Sequence, residues 1–546
     1  MRSEIFYTFF LSALLLITSG ATAFAAPITI NGTVRDDAGK PLTGVSISLK
    51  GSSIGTASNA EGAFTLSLPN DNGTLVVSYI GYATQEVPVE GRSSINVTLQ
   101  TDAKALTNVV VVGYGTQRRE NIIGSVGQVT SEDVANRPVT QLKNALTGQI
   151  AGVTVTNANG RPGAGGGAIR VRGVGSFGAT PDALIIIDGI AGGNFNNIDP
   201  NDVESISVLK DASSAAIYGA RAANGVILVT TKSGNRSGKA TVSYNGYYGT
   251  QRPTALPEFV NSWEYALAFR EANGSGASDA EIEKYKNGSD PDRYPNTDFI
   301  RAVLGRNGKQ TGHNLSISGG SANNQYNISL GTLFQEGVVV NNDFSRYNAR
   351  INMRTILSPK FEITTRLSII KTLTNEPMAP VNTNQSGIFS IIDQAARVPN
   401  TYPARLSNGD FGGGINSAGT PVSYLESKSF LKQTDLNLNG LIRFDYKPVK
   451  DLKLSFISSY VQGNGHNITF RSTQRLNAIT FLSPNNLTEA ANESNYYTLQ
   501  GLAEYTKKIN KHQVNLLLGY SFEENKSSNF NGFRDNLPGD DLTVLN

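Results

Sequence analysis

The sequence of 546 residues has no cysteine and only three histidines, His313, His466 and His512. The lack of cysteine excludes disulfide frameworks and thiolate metal sites. The histidines lie far apart in different segments, which favours solvated or loop positions over a shared metal site. Charged residues make up only 17% of the chain, and the net charge of +3 is too small to indicate a nucleic-acid partner. We therefore expect no metal ion.

Long apolar runs are also scarce. The run over residues 5–17 is shorter than the roughly 20 residues that a membrane-spanning helix needs. Arg2 precedes it and the small-residue sequence Ala23-Phe24-Ala25 follows it, so this run predicts a cleavable signal peptide over residues 1–26. No later run approaches spanning length. The sequence therefore predicts an exported protein and argues against an inner-membrane helix bundle.

Residues 27–101 contain short β-type runs separated by turn residues such as Asp36-Asp37-Ala38-Gly39. Strands that recur every 8–12 residues with Gly, Asn and Asp between them predict a small β-sandwich. A bare surface adhesin module is the alternative, and composition does not separate the two. The predicted strands cover residues 28–34, 45–49, 62–68, 75–79 and 95–99.

The next stretch has a mixed α/β pattern. The β-branched run at residues 109–112 is typical of a buried strand, or of an extended segment that a partner protein pairs with by strand addition. Leu142, Leu146 and Ile150 have helical spacing within residues 139–150. Residues 201–223 contain another candidate helix, and 226–230 a strand. No pair of residues in this unit has the character of a catalytic pair.

Two motifs in this unit resemble ligand sites but lack the required context. The Gly-rich residues 163–168 are followed by the strand-like residues 169–173 and not by a helix, so the geometry of a dinucleotide site is missing. Asp188-Gly189 and residues 199–202 indicate turns, since no EF-hand spacing follows them. We therefore expect no cofactor.

The clearest pattern lies in residues 239–546, where apolar and polar residues alternate. A period of two places the two sets on opposite faces of a strand. Segments of about ten residues with one apolar and one polar face are what a transmembrane β-barrel needs. The pattern covers residues 326–335, 360–369, 435–446, 452–460, 497–505 and 514–522.

Connection lengths support a barrel over a soluble sandwich. About nine strands begin near Ala240, and long connections alternate with short ones, as in barrels with short periplasmic turns and longer outer loops. Nine strands cannot close without an unsatisfied edge, so we expect a fragment or an interrupted gene product. The long connections are predicted at residues 251–311, 372–433 and 463–495, and the shorter ones at 319–324, 337–344, 357–359, 447–450 and 507–511.

Several motifs resemble the SusC/RagA family of TonB-linked outer-membrane proteins. Residues 31–34, 39–45, 59–64 and 78–82 resemble its carboxypeptidase-regulatory-like domain. Residues 109–115 match its V-V-V-V-G-Y-G segment, and residues 170–173, 209–219 and 223–227 resemble its plug motifs. The signal peptide runs almost directly into the sandwich, so no N-terminal signalling domain is expected.

The resemblance implies a mainly β protein. Its parts would be a regulatory-like β-sandwich (27–101), a TonB-box linker (102–119), an α/β plug domain (120–235) and an incomplete transmembrane antiparallel β-barrel (236–546). The barrel would hold about nine of the 22 strands expected of the family. The TonB box would be Val109, Val110, Val111, Val112, Gly113, Tyr114 and Gly115, and the plug-motif residues Arg170, Arg172, Gly173, Asp188, Gly189, Lys210, Asp211, Tyr218 and Gly219.

By the same resemblance, the function is TonB-dependent import of a large nutrient, either a glycan oligomer or a peptide. The implied partners are TonB with its inner-membrane complex, a SusD-like surface lipoprotein and outer-membrane lipid, and no catalytic residue is expected. The sandwich and the TonB box would lie in the periplasm. A siderophore or cobalamin importer, a non-transporting adhesin and an inactive truncated product are the alternatives. The loop aromatics Tyr285, Tyr294, Phe411 and Tyr424 either stack on sugar rings or, as the simpler reading, pack within the loops.

Overall fold

The computed structural model describes residues 28–545 with internal gaps, in two compact units that are described separately. One unit holds the residues up to Val110 with Thr116–Asn121, and the other holds Val111–Gly115 and Ile122–Asn546. The predicted signal peptide lies outside the described residues, as do Gly113 and Tyr114 of the predicted TonB box. No helix in the described part of the chain is long and apolar enough to cross a membrane. The gaps are residues 37–38, 40, 53, 70–72, 80–81, 83, 100–108, 113–114, 119–124, 136–138, 158, 165–166, 176–180, 235–239, 380–386, 415–418, 479, 483 and 510–511.

The first unit is the predicted β-sandwich. Its two sheets have the strand orders β4-β1-β7 and β3-β2-β5-β6, and residues from both sheets, such as Ile30, Phe64, Ile47 and Val77, form one buried core. The five predicted strands are present. The sequence did not reveal β3 and β6, because these short strands carry mostly exposed residues and no apolar alternation. The strands are β1 (Ile28–Asp36), β2 (Ser46–Leu49), β3 (Gly55–Ala57), β4 (Ala63–Leu68), β5 (Thr74–Ser78), β6 (Gln85–Pro88) and β7 (Val97–Leu99).

The β-branched run that follows the sandwich is extended. Val109–Val112 (β8) and Gly115–Arg118 (β9) are short strands of a two-stranded sheet. The described part of the predicted TonB box therefore has the backbone conformation that strand addition requires.

An α/β unit, residues 125–234, belongs to the second compact unit. It has a five-stranded sheet of order β10-β15-β16-β13-β14, in which only β13 and β16 pair in parallel, and a separate β11–β12 ribbon. Apolar residues of the sheet and of its short helices form its core. Its elements are β10 (Val126–Thr130), α1 (Ser131–Ala135), α2 (Leu142–Ala145), β11 (Val153–Val155), β12 (Ile169–Val171), β13 (Leu184–Ile187), β14 (Ile190–Ala191), β15 (Val203–Leu209), α3 (Ala212–Ala215) and β16 (Val226–Thr231), with 3-10 turns at Phe195–Asn197, Pro200–Asp202 and Ala216–Ala222.

One helix prediction in this unit was too long, and a second stretch holds a strand as well as its helix. The helix over residues 139–150 is reduced to α2, and the chain then continues in turns with Gly148 at a φ of +73°. Leu142, Leu146 and Ile150 are nevertheless buried together in the core. Residues 201–223, which were predicted to contain a helix, form β15 in their first half, where Val203, Ile206 and Val208 favour a strand, and are helical from Ala212.

The largest sheet of the described residues, which we call the wall, has nine strands. All neighbours pair antiparallel in the order β17-β18-β19-β20-β21-β22-β23-β26-β27, which confirms the predicted strand count. Its strands are β17 (Thr241–Gln251), β18 (Gly308–Gly320), β19 (Asn324–Glu336), β20 (Asp343–Ser358), β21 (Phe361–Pro377), β22 (Phe430–Val449), β23 (Leu452–Arg471), β26 (Asn486–Ile509) and β27 (His512–Asp535).

The two faces of the wall differ as the period of two predicts. On the outer face large apolar side chains are exposed, including Leu330 at 55% and Leu518 at 72%. On the inner face, polar residues such as Asn327, Ser329 and Ser368 are buried. The outer face thus has the character of a lipid-facing surface and the inner face that of a polar lumen.

The third long connection is much shorter than predicted. β23 and β26 remain paired up to Arg471 and Asn486, so the connection covers only residues 472–485 and holds the small hairpin of β24 (Gln474–Arg475) and β25 (Phe481–Leu482). The outer halves of these strands include polar pairs, such as His466 Nε2 with Glu489 Oε1 at 2.7 Å. Because polar residues and glycines interrupt the apolar alternation over 462–467 and 492–495, the sequence pattern predicts strands that end too early.

The other long connections contain helices with a core of their own. Phe299, Ile391 and Tyr424 are buried in this core, and Phe411 packs against it. Tyr285 and Tyr294 pack edge to face with ring centroids 5.1 Å apart. The four loop aromatics therefore contribute to loop packing, and the fully buried Tyr424 presents no ring face for stacking. The helices are α4 (Ser262–Asn273), α5 (Asp279–Asn287), α6 (Phe299–Leu304), α7 (Ile388–Arg397) and α8 (Pro421–Leu425).

The outer face of the wall allows a test. Leu330→Arg, at the middle of β19, should cost about 2–4 kcal/mol of folding free energy in a bilayer, because it places a guanidinium in the apolar band. Ser345→Arg, on the same face near the end of β20, should cost only about 0–1 kcal/mol. Urea titrations of the complete protein in phospholipid vesicles would measure both. Equal costs at the two positions would contradict a lipid-facing surface.

Candidate functional site

The contact between the α/β unit and the inner face of the wall is built around a two-residue turn. Asp188 and Gly189 connect β13 to β14 with φ angles of +54° and +91°. An Asp-Gly pair favours this turn, since both central residues need a positive φ. The turn places the Asp188 carboxylate at the tip of a hairpin, where it faces β20 and β21 of the wall.

Asp188 is almost completely buried and has partners on both sides. Arg350 Nη1 lies 3.5 Å from its carboxylate, and Arg366 forms a second ion pair with it. Within the α/β unit, the Thr231 backbone N–H and hydroxyl donate to the same carboxylate at 2.9 and 2.7 Å. A buried carboxylate with this set of donors is held in one position.

Two further carboxylates come from the 3-10 turn at Pro200–Asp202. Asp199 accepts a hydrogen bond from the Asn201 N–H at 2.9 Å, and Arg346 Nη2 lies 3.7 Å from its Oδ2. Asp202 faces Arg350 Nε at 3.5 Å. Burial, together with the neighbouring Asp199, raises the pKa of Asp202, while Arg350 acts in the opposite direction. We call Asp188, Asp199 and Asp202 the acidic face.

Three arginines of the wall lie opposite the acidic face: Arg346 and Arg350 on β20 and Arg366 on β21. We call them the arginine column. Positions four apart on a strand share a face, and Arg366 pairs in register with Asn352, two positions beyond Arg350. The next arginine on this side, Arg354, pairs instead with Glu362 of the wall at 2.6 and 2.8 Å. The arginine column therefore has its carboxylate partners on the α/β unit.

Elsewhere on the contact the charges are reversed. Arg161 Nη1 of the α/β unit lies 2.8 Å from the Glu376 carboxylate of β21, and its guanidinium lies 5.3 Å from the ring centroid of Phe389. Arg221 forms a two-bond pair with Glu523 of β27, at 2.6 and 2.9 Å. Charges of both signs are thus matched across the contact, which fixes one orientation of the unit against the wall.

Uncharged contacts complete the arrangement. Asn352 donates to the Thr231 hydroxyl and to the Lys232 carbonyl, both at 2.8 Å. Gly163 has a φ of +62°, and a Cβ at this position would lie 2.0 Å from the ring of Phe344, so the chain approaches the wall where no side chain fits. Ile190 packs in a small apolar cluster with residues of β22 and β23.

Most of the plug-motif residues lie away from this contact. Asp211 accepts the Ser125 N–H at 2.5 Å and pairs with Arg172 Nη1 at 2.5 Å, and these two interactions lower its pKa. Lys210 Nζ donates to the Ala151 carbonyl at 2.7 Å. Arg172 has a φ of +59° in the turn after β12. This group fastens the beginning of the unit at Ser125.

The remaining plug-motif residues have structural positions. Arg170 lies in β12, and Tyr218 is buried in a second core cluster of the unit. Gly173 and Gly219 have positive φ angles. Of the predicted site residues in the described part of the chain, only Asp188 and Gly189 are in the turn that meets the arginine column. The sequence did not reveal the rest of the acidic face or the column itself, although three arginines at four-residue spacing on β20 were a usable signal.

Comparisons with protein families identify the two N-terminal parts. Residues 30–112 match the family model described as a CarboxypepD_reg-like domain, and residues 118–226 match the TonB-dependent Receptor Plug Domain. The second match covers most of the α/β unit.

Relatives align along most of the chain. TonB-dependent receptor P26 of Formosa agariphila is 34% identical over 504 residues, covering 91% of this chain and 49% of the relative. TonB-dependent receptor SusC of Bacteroides thetaiotaomicron is 32% identical, covering 83% of this chain and 47% of the relative. The chain spans about half the length of these curated relatives.

A solved structure agrees in fold. The RagAB peptide importer in its open-open state superimposes with a TM-score of 0.68 and 26% identity, covering 80% of this chain and 51% of the other. These relatives are outer-membrane TonB-dependent receptors, a family of transporters and not of enzymes. With its regulatory-like domain, its plug match and its nine-stranded partial barrel, the chain belongs to the SusC/RagA type of TonB-dependent receptors.

Proposed function

We propose that the receptor to which this chain contributes imports a large nutrient across the outer membrane, with energy supplied through TonB. The observation that carries the proposal is the buried, charge-matched contact between the plug-like α/β unit and the inner face of the wall. A unit held inside a polar lumen in this way closes the pore until it is moved.

The closed state is held by interactions that separate at modest cost. Each buried ion pair gains Coulomb energy but has lost the hydration of two charges, so the net stabilisation is small. If the contact were uniformly apolar, separating the two parts would instead cost free energy in proportion to the apolar area that becomes exposed. The polar contact therefore positions the unit firmly and still permits its displacement.

TonB would bind the extended segment at residues 109–115 by adding a strand. Backbone hydrogen bonds suit this task because they transmit a pull along the chain without requiring particular side chains. The strand conformation of Val109–Val112 supports this role. The plug-motif group at Ser125 lies next along the chain, where a pull on this segment would first reach the α/β unit.

The cargo would be a peptide or a glycan oligomer. The likeness to the RagAB peptide importer supports such a cargo over a siderophore or cobalamin. A SusD-like surface lipoprotein would cover the outer opening. The loop core around Tyr424 and Ile391 gives the long connections a fixed shape on that side.

The TonB box gives a sharp test. In the full-length receptor, replacing Val110 and Val111 together by proline should abolish energised uptake, whereas replacing both by alanine should retain most of it. Successive N–H groups of a strand point to opposite edges, so one of the two prolines must remove a donor from the added strand. Uptake of labelled nutrient extract and binding at the cell surface would be measured in parallel.

Surface binding should be unchanged in both variants. If the receptor acts only as an adhesin, the proline and alanine variants would behave alike in both the uptake and the surface-binding assay. Equal uptake by the two variants would therefore contradict the import proposal.

The acidic face gives a second test. Asp188→Asn leaves Arg350 and Arg366 without their shared carboxylate, which should weaken the seating of the α/β unit by about 3–5 kcal/mol. Hydrogen exchange in β13 and β14 should accelerate, and cells should admit a large antibiotic that an intact outer membrane excludes. The exposed Asp182→Asn on the same unit is the control. Equal exchange rates in the two variants would show that Asp188 does not hold the unit.

A further inference from the structure

From the arginine column we infer that the cargo of this receptor carries negative charge, in the form of carboxylate groups. The inference rests on the proposed import function and adds the chemistry of the cargo to it. Arg346, Arg350 and Arg366 line one side of the lumen, and the carboxylates that neutralise them belong to the part of the protein that must move.

The geometry of the arginine column suits a passing chain. Arg346 and Arg350 are four residues apart on β20, which corresponds to about 13 Å along a strand. Arg366 on the neighbouring strand extends the column toward the short connection at residues 359–360. The column therefore follows the direction of transport from the outer end of β20 toward its inner end.

The acidic face shows what the column binds. Its three carboxylates meet the buried guanidinium groups of Arg346 and Arg350 and the partly exposed one of Arg366, and Asp188 contacts two of them at once. When the α/β unit is displaced, three guanidinium groups lose their counter-charges together. A cargo that presents carboxylates would restore them, and a neutral cargo would not.

Other charges on the wall cancel the column only in part. Arg354 with Glu362, and Arg443 with Asp445, are pairs internal to the wall and stay neutral when the unit moves. Glu376, whose partner Arg161 leaves with the unit, lies four positions beyond Thr372, the register partner of Arg346, or about 13 Å along the strand.

Of two further acidic groups on the wall, Glu523 is distant from the column and Asp435 is near its outer end. Glu523 lies on β27, four strands from β21 in the sheet. Asp435 pairs in register with Thr372, which itself pairs with Arg346, so Asp435 lies two strands from Arg346, about 10 Å across the sheet. The part of the lumen around Arg350 and Arg366 is therefore locally positive once the acidic face has left, whereas Arg346 keeps Asp435 nearby.

The test uses ions as probes and does not require TonB. The full-length receptor would be inserted in a planar bilayer, its plug opened reversibly with urea, and the reversal potential measured across a potassium chloride gradient. Arg346→Gln, Arg350→Gln and Arg366→Gln combined should lower the chloride-to-potassium permeability ratio severalfold, as expected when arginines are removed from an anion-selective pore. An unchanged ratio would overturn the inference.

Three matched variants separate charge from structure. The lysine triple at the same positions keeps the charge and should keep the ratio. Arg354→Gln with Glu362→Gln removes an arginine from the same strand without changing the net charge, and should also keep it. Neutralising the acidic face with three asparagines loosens the same contact from the other side but leaves the column, so the ratio should not fall.

If the glutamine triple does not fold, Arg346→Gln and Arg366→Gln singly should each give a partial decrease, and no decrease in either would contradict the inference.

Uptake then identifies the source of the carboxylates. Energised cells would be offered an acidic peptide with its amide counterpart, and a uronate oligosaccharide with its neutral counterpart. The native receptor should prefer the acidic member of at least one pair, and the glutamine triple should lose that preference. Equal uptake within both pairs by the native receptor would overturn the inference, whereas loss of all uptake on deleting residues 109–115 tests only the import function.

Discussion

The polar inner face of the wall is the constraint on which the rest of the structure depends. A sheet whose outer face is apolar must place its polar residues on the other side, and buried arginines there need counter-charges. The acidic face of the α/β unit supplies them through Asp188, Asp199 and Asp202. The two parts are therefore complementary in chemistry as well as in shape.

The reversal of charge across the contact has a further consequence. The α/β unit offers carboxylates to β20 and β21, but arginines to Glu376 and Glu523. A rotated unit would bring like charges together, and like-charge contacts at an interface cost several kcal/mol. Orientation is thus enforced by charge pattern, while the net stabilisation from each pair stays small enough for the contact to be separable.

The sequence predicted the features that repeat locally, and missed those that depend on distant partners. Alternation of side chains predicted the wall, and Asp188-Gly189 predicted a turn, because both are properties of neighbouring residues. Residues 199–202 also read as a turn, but nothing local shows that Asp199 and Asp202 meet arginines more than 140 positions later. The ends of β23 and β26 were missed for a different reason. Polar residues and glycines occupy both faces of β23 over residues 462–467 and of β26 over residues 492–495, so pairing continues where the apolar alternation is interrupted.

Under the proposed mechanism, the order of events follows from where the chain is attached. A pull from residues 109–115 reaches the α/β unit at Ser125, which Asp211 and Lys210 hold. The next element, β10, is an edge strand joined to the sheet by a five-residue ladder with β15. An edge strand pulled from its end separates one pair at a time, so each step breaks few hydrogen bonds. The acidic face belongs to the β13–β14 turn and the 3-10 turn before β15, farther along the chain. Under this mechanism the pulling force therefore acts first on the Arg172–Asp211 group. The acidic face separates from the arginine column only after the edge of the sheet has opened.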